Sequence, residues 1–235
     1  MAEKGTKILI SGASNTGKTT LLKSLKDALV FNYDNKTFPY AIPHRNVFEK
    51  EHGGRLSSGE DFKDRLQNLL KDYKTKTGKL PTVLAIDSVS TIAEDIETKL
   101  TEAFKDGNGF KKWDEYRTSV HAINDAINSL INLGINVVMI THAVYNNNNG
   151  KWEDTTKGGF AKKEGGFLST VDYAICVDVN PDNSRVIYVN NAYRMSRNAI
   201  NYKEGVEYVD ASEFNLQEYL ETILKHNAEQ ENLRI

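Results

Sequence analysis

Between a strand-like tetrad, KILI at residues 7–10, and a helical pattern, TTLLKSLKDAL at residues 19–29, lies the stretch GASNTGKTT at residues 12–20. It fits G-x-x-x-x-G-K-[ST], a pattern few folds accept. Its glycines let the backbone wrap closely around an anion, and its N–H groups and the following helix N-terminus offer positive partial charge. A buried strand must end at such a loop and a helix must start from it. Gly12, Ala13, Ser14, Asn15, Thr16, Gly17, Lys18, Thr19 and Thr20 are therefore the expected phosphate-binding residues of a Walker A loop. Within it Lys18 is set to reach the β- and γ-phosphates of ATP, and Thr19 to hold Mg2+.

Further apolar runs suited to buried strands fall at residues 29–31, 83–86, 137–140, 174–179 and 186–189. Helical patterns separate the early ones. Ser58 can cap a helix in which Phe62, Leu66, Leu69, Leu70 and Tyr73 recur on one face, ending near Gly78 and Pro81. Amphipathic stretches follow at about residues 91–104 and 114–133, and a last one at 213–225. Such alternation predicts an α/β fold with a mostly parallel central sheet flanked by helices. After residue 140 the pattern changes to a long polar loop and then two strands joined by NPDN at 180–183, which predicts an antiparallel, β-rich edge. The tract NNNN at 146–149 reads as a solvated loop tip.

The chain has 235 residues, 39% of them hydrophobic and 26% charged, which fits one domain with a substantial core. A net charge of -2 means that any nucleic-acid binding must come from a local patch. Cys176 is the only cysteine and sits in the apolar run YAICVDV, where a small buried hydrophobe is expected and no intrachain disulfide can form. The N-terminus lacks an apolar signal region, and no stretch approaches the roughly 18 apolar residues of a membrane span. A cytoplasmic protein with no membrane partner is expected.

Chemistry concentrates where the strands end. TVLAIDS closes on Asp87, whose carboxylate emerges beside the phosphates as a Walker B magnesium ligand. Ser88 follows it where many motor ATPases carry a glutamate, so another carboxylate must act on the attacking water. Asp34, just past the second apolar run in LVFNYDNK, supplies one; a turn or capping role is its alternative. NVVMITHA ends in Thr141 and His142, which puts His142 where a side chain can sense a γ-phosphate, with a structural histidine as the alternative.

With these residues assembled, the chain resembles the RecA-like P-loop ATPases. The likeness runs through the phosphate loop, NYD after the second strand, AIDSV, the polar residues ending the next strand, and the glycine-rich loop followed by FLSTVDYAICVDV. It looks most like the compact phage single-strand-annealing ATPases of the Sak type. The likeness covers most of residues 5–190, the core of the single domain expected over 1–235, with a C-terminal strand and helix extension at about 191–235. The resemblance implies that Asp34 is the catalytic carboxylate, His142 the γ-phosphate sensor, and residues 143–166 a DNA-binding loop. There Lys157, Lys162 and Lys163 would meet phosphates, while Trp152, Phe160 and Phe167 would stack on or wedge between bases; with four lysines against three acids in the segment, a solvated mobile loop is the alternative. The implied partner is single-stranded DNA bound without sequence specificity, with a homo-oligomer as the working form and single-strand-binding or replication proteins as further partners.

Basic residues near the last core strand of such assemblies reach a neighbour's γ-phosphate, which makes Arg194 and Arg197 of YRMSRN candidates to act in trans. Acid-paired or surface arginines are the alternative. Recombinases of this kind carry an extra N-terminal module, whereas here the first strand begins near Lys7, which weighs against strand exchange as a filament. His142 stands where glutamine is commoner. KKWDEYRT at 111–118 offers a second DNA-facing surface, against which Trp113 and Tyr116 at helical spacing argue packing. Two other readings stay open: a P-loop kinase of a nucleoside or other small molecule, and a nucleotide-dependent switch with little turnover. Kinase lids clamp phosphates with arginine, and residues 143–166 contain none.

Overall fold

Alternate residues of the apolar runs are buried on opposite sides, so each run needs a layer on both faces. Parallel strands meet that need when their crossover helices cover the sheet. The computed structural model describes residues 4–47, 54–156, 166–198, 200 and 205–233. Its main sheet contains β1 (Lys7–Ser11), β2 (Ala28–Asn32), β3 (His44–Asn46), β4 (Val83–Asp87), β5 (Asn136–Ile140), β8 (Tyr173–Val179), β9 (Arg185–Tyr188) and β10 (Tyr208–Asp210). The spatial order is β10-β9-β8-β1-β5-β4-β2-β3. Strands β3, β2, β4, β5, β1 and β8 run parallel, while β8, β9 and β10 pair antiparallel. This is the α/β P-loop NTPase fold, with the antiparallel edge that the NPDN turn predicts.

One face of the sheet, with Leu9, Phe31, Leu84, Ile86 and Met139, packs against α2 (Gly59–Thr77), α3 (Val89–Ala103) and α4 (Gly109–Asn132). The other, with Ile8, Ile10, Val30, Ala85 and Ile140, is covered by Leu22 and by α5 (Leu216–Asn232) through Leu216, Tyr219, Leu220 and Ile223. Caps fix the helix ends. The Asp61 N–H donates to Ser58 Oγ at the start of α2, and Gly78, at φ 78°, takes the left-handed turn that stops it. Gly59 has no substitute, because a Cβ there would lie 2.2 Å from the Ser119 carbonyl oxygen of α4. Among the described residues no helix is long and apolar enough to cross a membrane.

Several boundaries differ from the sequence reading. The helix after the phosphate loop is short: α1 (Lys18–Leu21) passes into a single 3-10 turn at Leu22–Ser24. The residues expected to continue it are taken by β2, where Ala28 and Leu29 pair with Val83 and Leu84, so sheet pairing overrides helix propensity. The long polar segment after β5 contains a hairpin, β6 (Ala143–Asn146) and β7 (Lys151–Asp154), with the asparagine tract at its tip. Helix α4 starts earlier than expected, under an Asn108 cap, and α5 starts later, capped by Asn215. The outermost strand on the antiparallel side is β10, so the β8–β9 hairpin is not itself the edge.

Candidate nucleotide site

Parallel register decides which residues meet. Asn32 pairs with Asp87 and Asp87 with Ile140, so β2, β4 and β5 end level and the residues just beyond them converge at one sheet edge. The phosphate loop opens at that edge from β1. Gly12, at φ 145°, admits no side chain, since a Cβ would lie 2.3 Å from the Val177 carbonyl oxygen of β8. Gly17 lies under Arg185 of β9, whose Nε would come within 3.0 Å of a Cβ there.

Lys18 is 4% exposed, and its Nζ donates to the carbonyl oxygens of Gly12 at 2.8 Å and Ala13 at 2.6 Å. The loop is thus wrapped around its own lysine. Burial pushes the Lys18 ammonium down to about 8, with the nearby Lys36 charge adding to the effect. Binding of phosphates requires the protonated form, so nucleotide affinity is expected to hold on the acid side of this value and to weaken above it. The slope is up to about tenfold per pH unit, as the free amine becomes the resting state. Fluorescent ADP binding on either side of pH 8 checks this; unchanged affinity well above it would mean that Lys18 stays charged.

Thr19 Oγ1 donates to Asp87 Oδ2 at 2.6 Å, and Asp87 is fully buried. Thr19 and Asp87 would hold magnesium, and a hydroxyl beside a carboxylate suits that ion's preference for hard oxygen donors. Among the described residues no group of three or more His, Cys, Asp or Glu is gathered to hold a metal. A magnesium ion bound by one or two carboxylates does not need one, because water, joined by phosphate when a nucleotide is present, fills the rest of its shell. Bound there, the ion would neutralise charge on the β- and γ-phosphates.

Asp34 is the hub of the edge. Its Oδ1 accepts from Ser88 Oγ at 2.9 Å, and its Oδ2 lies 3.2 Å from His142 Nε2 and 2.7 Å from Lys36 Nζ. Its backbone N–H donates to the Asp87 carbonyl oxygen at 2.9 Å, tying β2 to β4. Burial alone would raise its proton affinity, but hydrogen bonds from His142 and Lys36 hold the carboxyl well below the usual carboxylate range. It is therefore ionised, and suited to orienting water more than to keeping a proton. The His142 backbone N–H donates to Ser90 Oγ at 2.9 Å, which fixes where the ring leaves β5. Lys36 also reaches Asp87 Oδ1 at 3.1 Å, and the Tyr40 hydroxyl donates to the Thr19 carbonyl oxygen.

A family profile described as an AAA domain matches residues 4–197. The chain belongs to this family. No curated protein matches it. The AAA domain is a nucleotide-dependent ATPase unit, and the match spans the phosphate loop, Asp34, Asp87 and His142; β10 and α5 lie beyond it.

Other residues singled out from the sequence lie elsewhere in the AAA domain. Arg194 donates to Asp178, and its guanidinium lies 5.4 Å from the Trp152 ring centroid and 4.9 Å from that of Tyr188. Arg197 donates to the Leu168 carbonyl oxygen at 2.7 Å. Both arginines are engaged within the chain, so service to a neighbour's nucleotide requires them to leave these partners. Trp152 packs against the core beneath Arg194, an arrangement that leaves that ring face closed to a base. Phe167 is fully buried in the 3-10 turn before β8, which corrects the expectation that it stacks on DNA: its ring is core, though glycines precede it. Lys157, Phe160, Lys162 and Lys163 lie outside the described residues. Trp113 and Tyr116 pack edge to face on α4, with Tyr116 buried, as their helical spacing suggests.

The sequence reading missed Lys36 and Asp154. Lys36 follows Asn35, whose φ of 52° turns the chain back toward Asp87, and no spacing rule marks such a return. Asp154 ends β7 and accepts the N–H groups of Thr156 at 2.8 Å and Phe167 at 3.2 Å, closing the base of the glycine-rich segment. Burial pushes this carboxyl up. Its only sequence signal is a carboxylate flanking that segment.

Proposed function

We propose that this AAA domain is a magnesium-dependent ATPase of RecA-like type that binds single-stranded DNA without base specificity. It works in recombination, annealing or replication of the phage kind, as an oligomer. What carries the reading is the junction of the phosphate loop with the segment after β5. The Ala143 N–H donates to the Gly12 carbonyl oxygen at 3.0 Å, the same oxygen that accepts Lys18 Nζ. A nucleotide that draws Lys18 away acts directly on the first residue of the hairpin, while His142 beside it touches Asp34. The segment of residues 143–166 holds Lys151, Lys157, Lys162 and Lys163. On this reading its lysines meet the phosphates of the strand and Phe160 its bases.

The test is hydrolysis of ATP with magnesium, alone and with single- or double-stranded DNA, at low and moderate salt. Single strands are expected to raise the rate severalfold, and the stimulation to fall as salt rises through loss of phosphate contacts. No DNA binding and no stimulation would overturn the DNA reading in favour of a small-molecule kinase or a switch.

A further inference from the structure

We propose that Lys36 is a resident cation at the magnesium site: its ammonium holds Asp34 and Asp87 together while no metal is bound, and metal must displace it. The inference rests on the magnesium-dependent reading above and adds a competitor within the chain. Lys36 Nζ lies 2.7 Å from Asp34 Oδ2, 3.1 Å from Asp87 Oδ1 and 3.5 Å from Thr19 Oγ1. Thr19 and Asp87 carry the oxygens that would hold magnesium, and Asp34 stands beside them on the same ammonium. The side chain of Asp87 is fully buried and that of Asp34 is 9% exposed. Two carboxylates withdrawn from water at one spot repel each other, and each is costly without a counter-charge. Among the described residues Lys36 is the one ammonium paired with both.

The backbone around Lys36 is built to stay while its side chain leaves. The buried Asn32 amide clamps it from both sides: Nδ2 donates to the Lys36 carbonyl oxygen at 2.8 Å, and Oδ1 accepts the Lys36 N–H at 3.1 Å. Asn46 of the neighbouring β3 accepts a further bond from that Nδ2 at 2.6 Å, which fixes the amide's orientation. The side chain beyond this clamp is 35% exposed, so the ammonium has a path to water through rotation of its own stem. Metal entry therefore needs a side-chain swing and no rearrangement of the backbone at Lys36.

The experiment is thermal unfolding of the nucleotide-free full chain in EDTA and over a series of magnesium concentrations. Wild type, Lys36→Met, Lys36→Arg and the double variant Lys36→Met with Asp34→Asn are compared. Wild type is expected to melt at nearly the same temperature with and without magnesium. Lys36→Met is expected to melt several degrees lower in EDTA and to recover as magnesium is added, with Lys36→Arg restoring the wild-type behaviour. Removing one carboxylate in the double variant is expected to return the stability lost in EDTA. Parallel magnesium responses in wild type and Lys36→Met, or a double variant as unstable in EDTA as the single one, would overturn the proposal. These melts use magnesium alone, so failure of the Lys36 proposal is told apart from failure of the ATPase reading, which fluorescent ADP binding to wild type tests separately.

Discussion

Lys18→Ala is expected to abolish ATP hydrolysis, a fall of about 10³-fold or more in kcat, while the fold persists. The ammonium is nearly inaccessible and already bonded within the loop, so nothing but a phosphate group in that loop offers it a better partner. Lys36 is held by two carboxylates, Asp34 and Asp87, and does not substitute for it. Removing a charge that burial disfavours costs the nucleotide-free protein little, so its melting temperature should stay close to wild type or rise. Phosphate release and thermal unfolding on the same sample check both halves. Turnover retained in the variant would remove the phosphate loop from the centre of the chemistry.

Asp34→Asn is expected to keep nucleotide affinity within a few-fold and to lower hydrolysis by about 10²- to 10⁴-fold. Asparagine keeps the shape and can still accept from Ser88, but it carries no charge to hold a water or to answer His142 and Lys36. Asp34 makes no hydrogen bond to the phosphate loop itself, which is why binding and hydrolysis should separate. Steady-state hydrolysis set beside equilibrium binding of ADP checks the separation. Wild-type rates would move the water-activating group to another residue.

The strands buried on both faces were legible because burial on both sides writes an uninterrupted apolar run. Strands β3 (HRN) and β10 (YVD) left no such mark: each lies at an edge, pairs on one side, and is mostly exposed or half-buried. Asp34, Asp87 and His142 could each be placed at a strand end from sequence. Their contact with one another depends on the level register of β2, β4 and β5, which is a property of the assembled sheet. The length of α1 was misread for a related reason, since Ala28 and Leu29 are good helix residues that the sheet claims. Phe167 was read from its glycine-rich neighbours, although the apolar residues that follow it belong to the core. Lys36 escaped notice because its position follows from one backbone turn and an amide clamp.

Helix α5 draws a line between the part of the chain that carries the chemistry and the part that can fold. A polypeptide cut after residue 197 would keep the phosphate loop, Asp34, Asp87, His142 and the whole family-matched stretch. It would also lose the side chains of Leu216, Tyr219, Leu220 and Ile223, and leave Ile8, Ile10, Val30 and Ile140 short of their cover. At about 1.5–3 kcal/mol for each large apolar side chain withdrawn from water, four such losses rival the roughly 5–15 kcal/mol that keeps a domain folded. Sequence likeness thus ends before physical self-sufficiency does, and the residues least tied to catalysis are the ones the catalytic half cannot stand without.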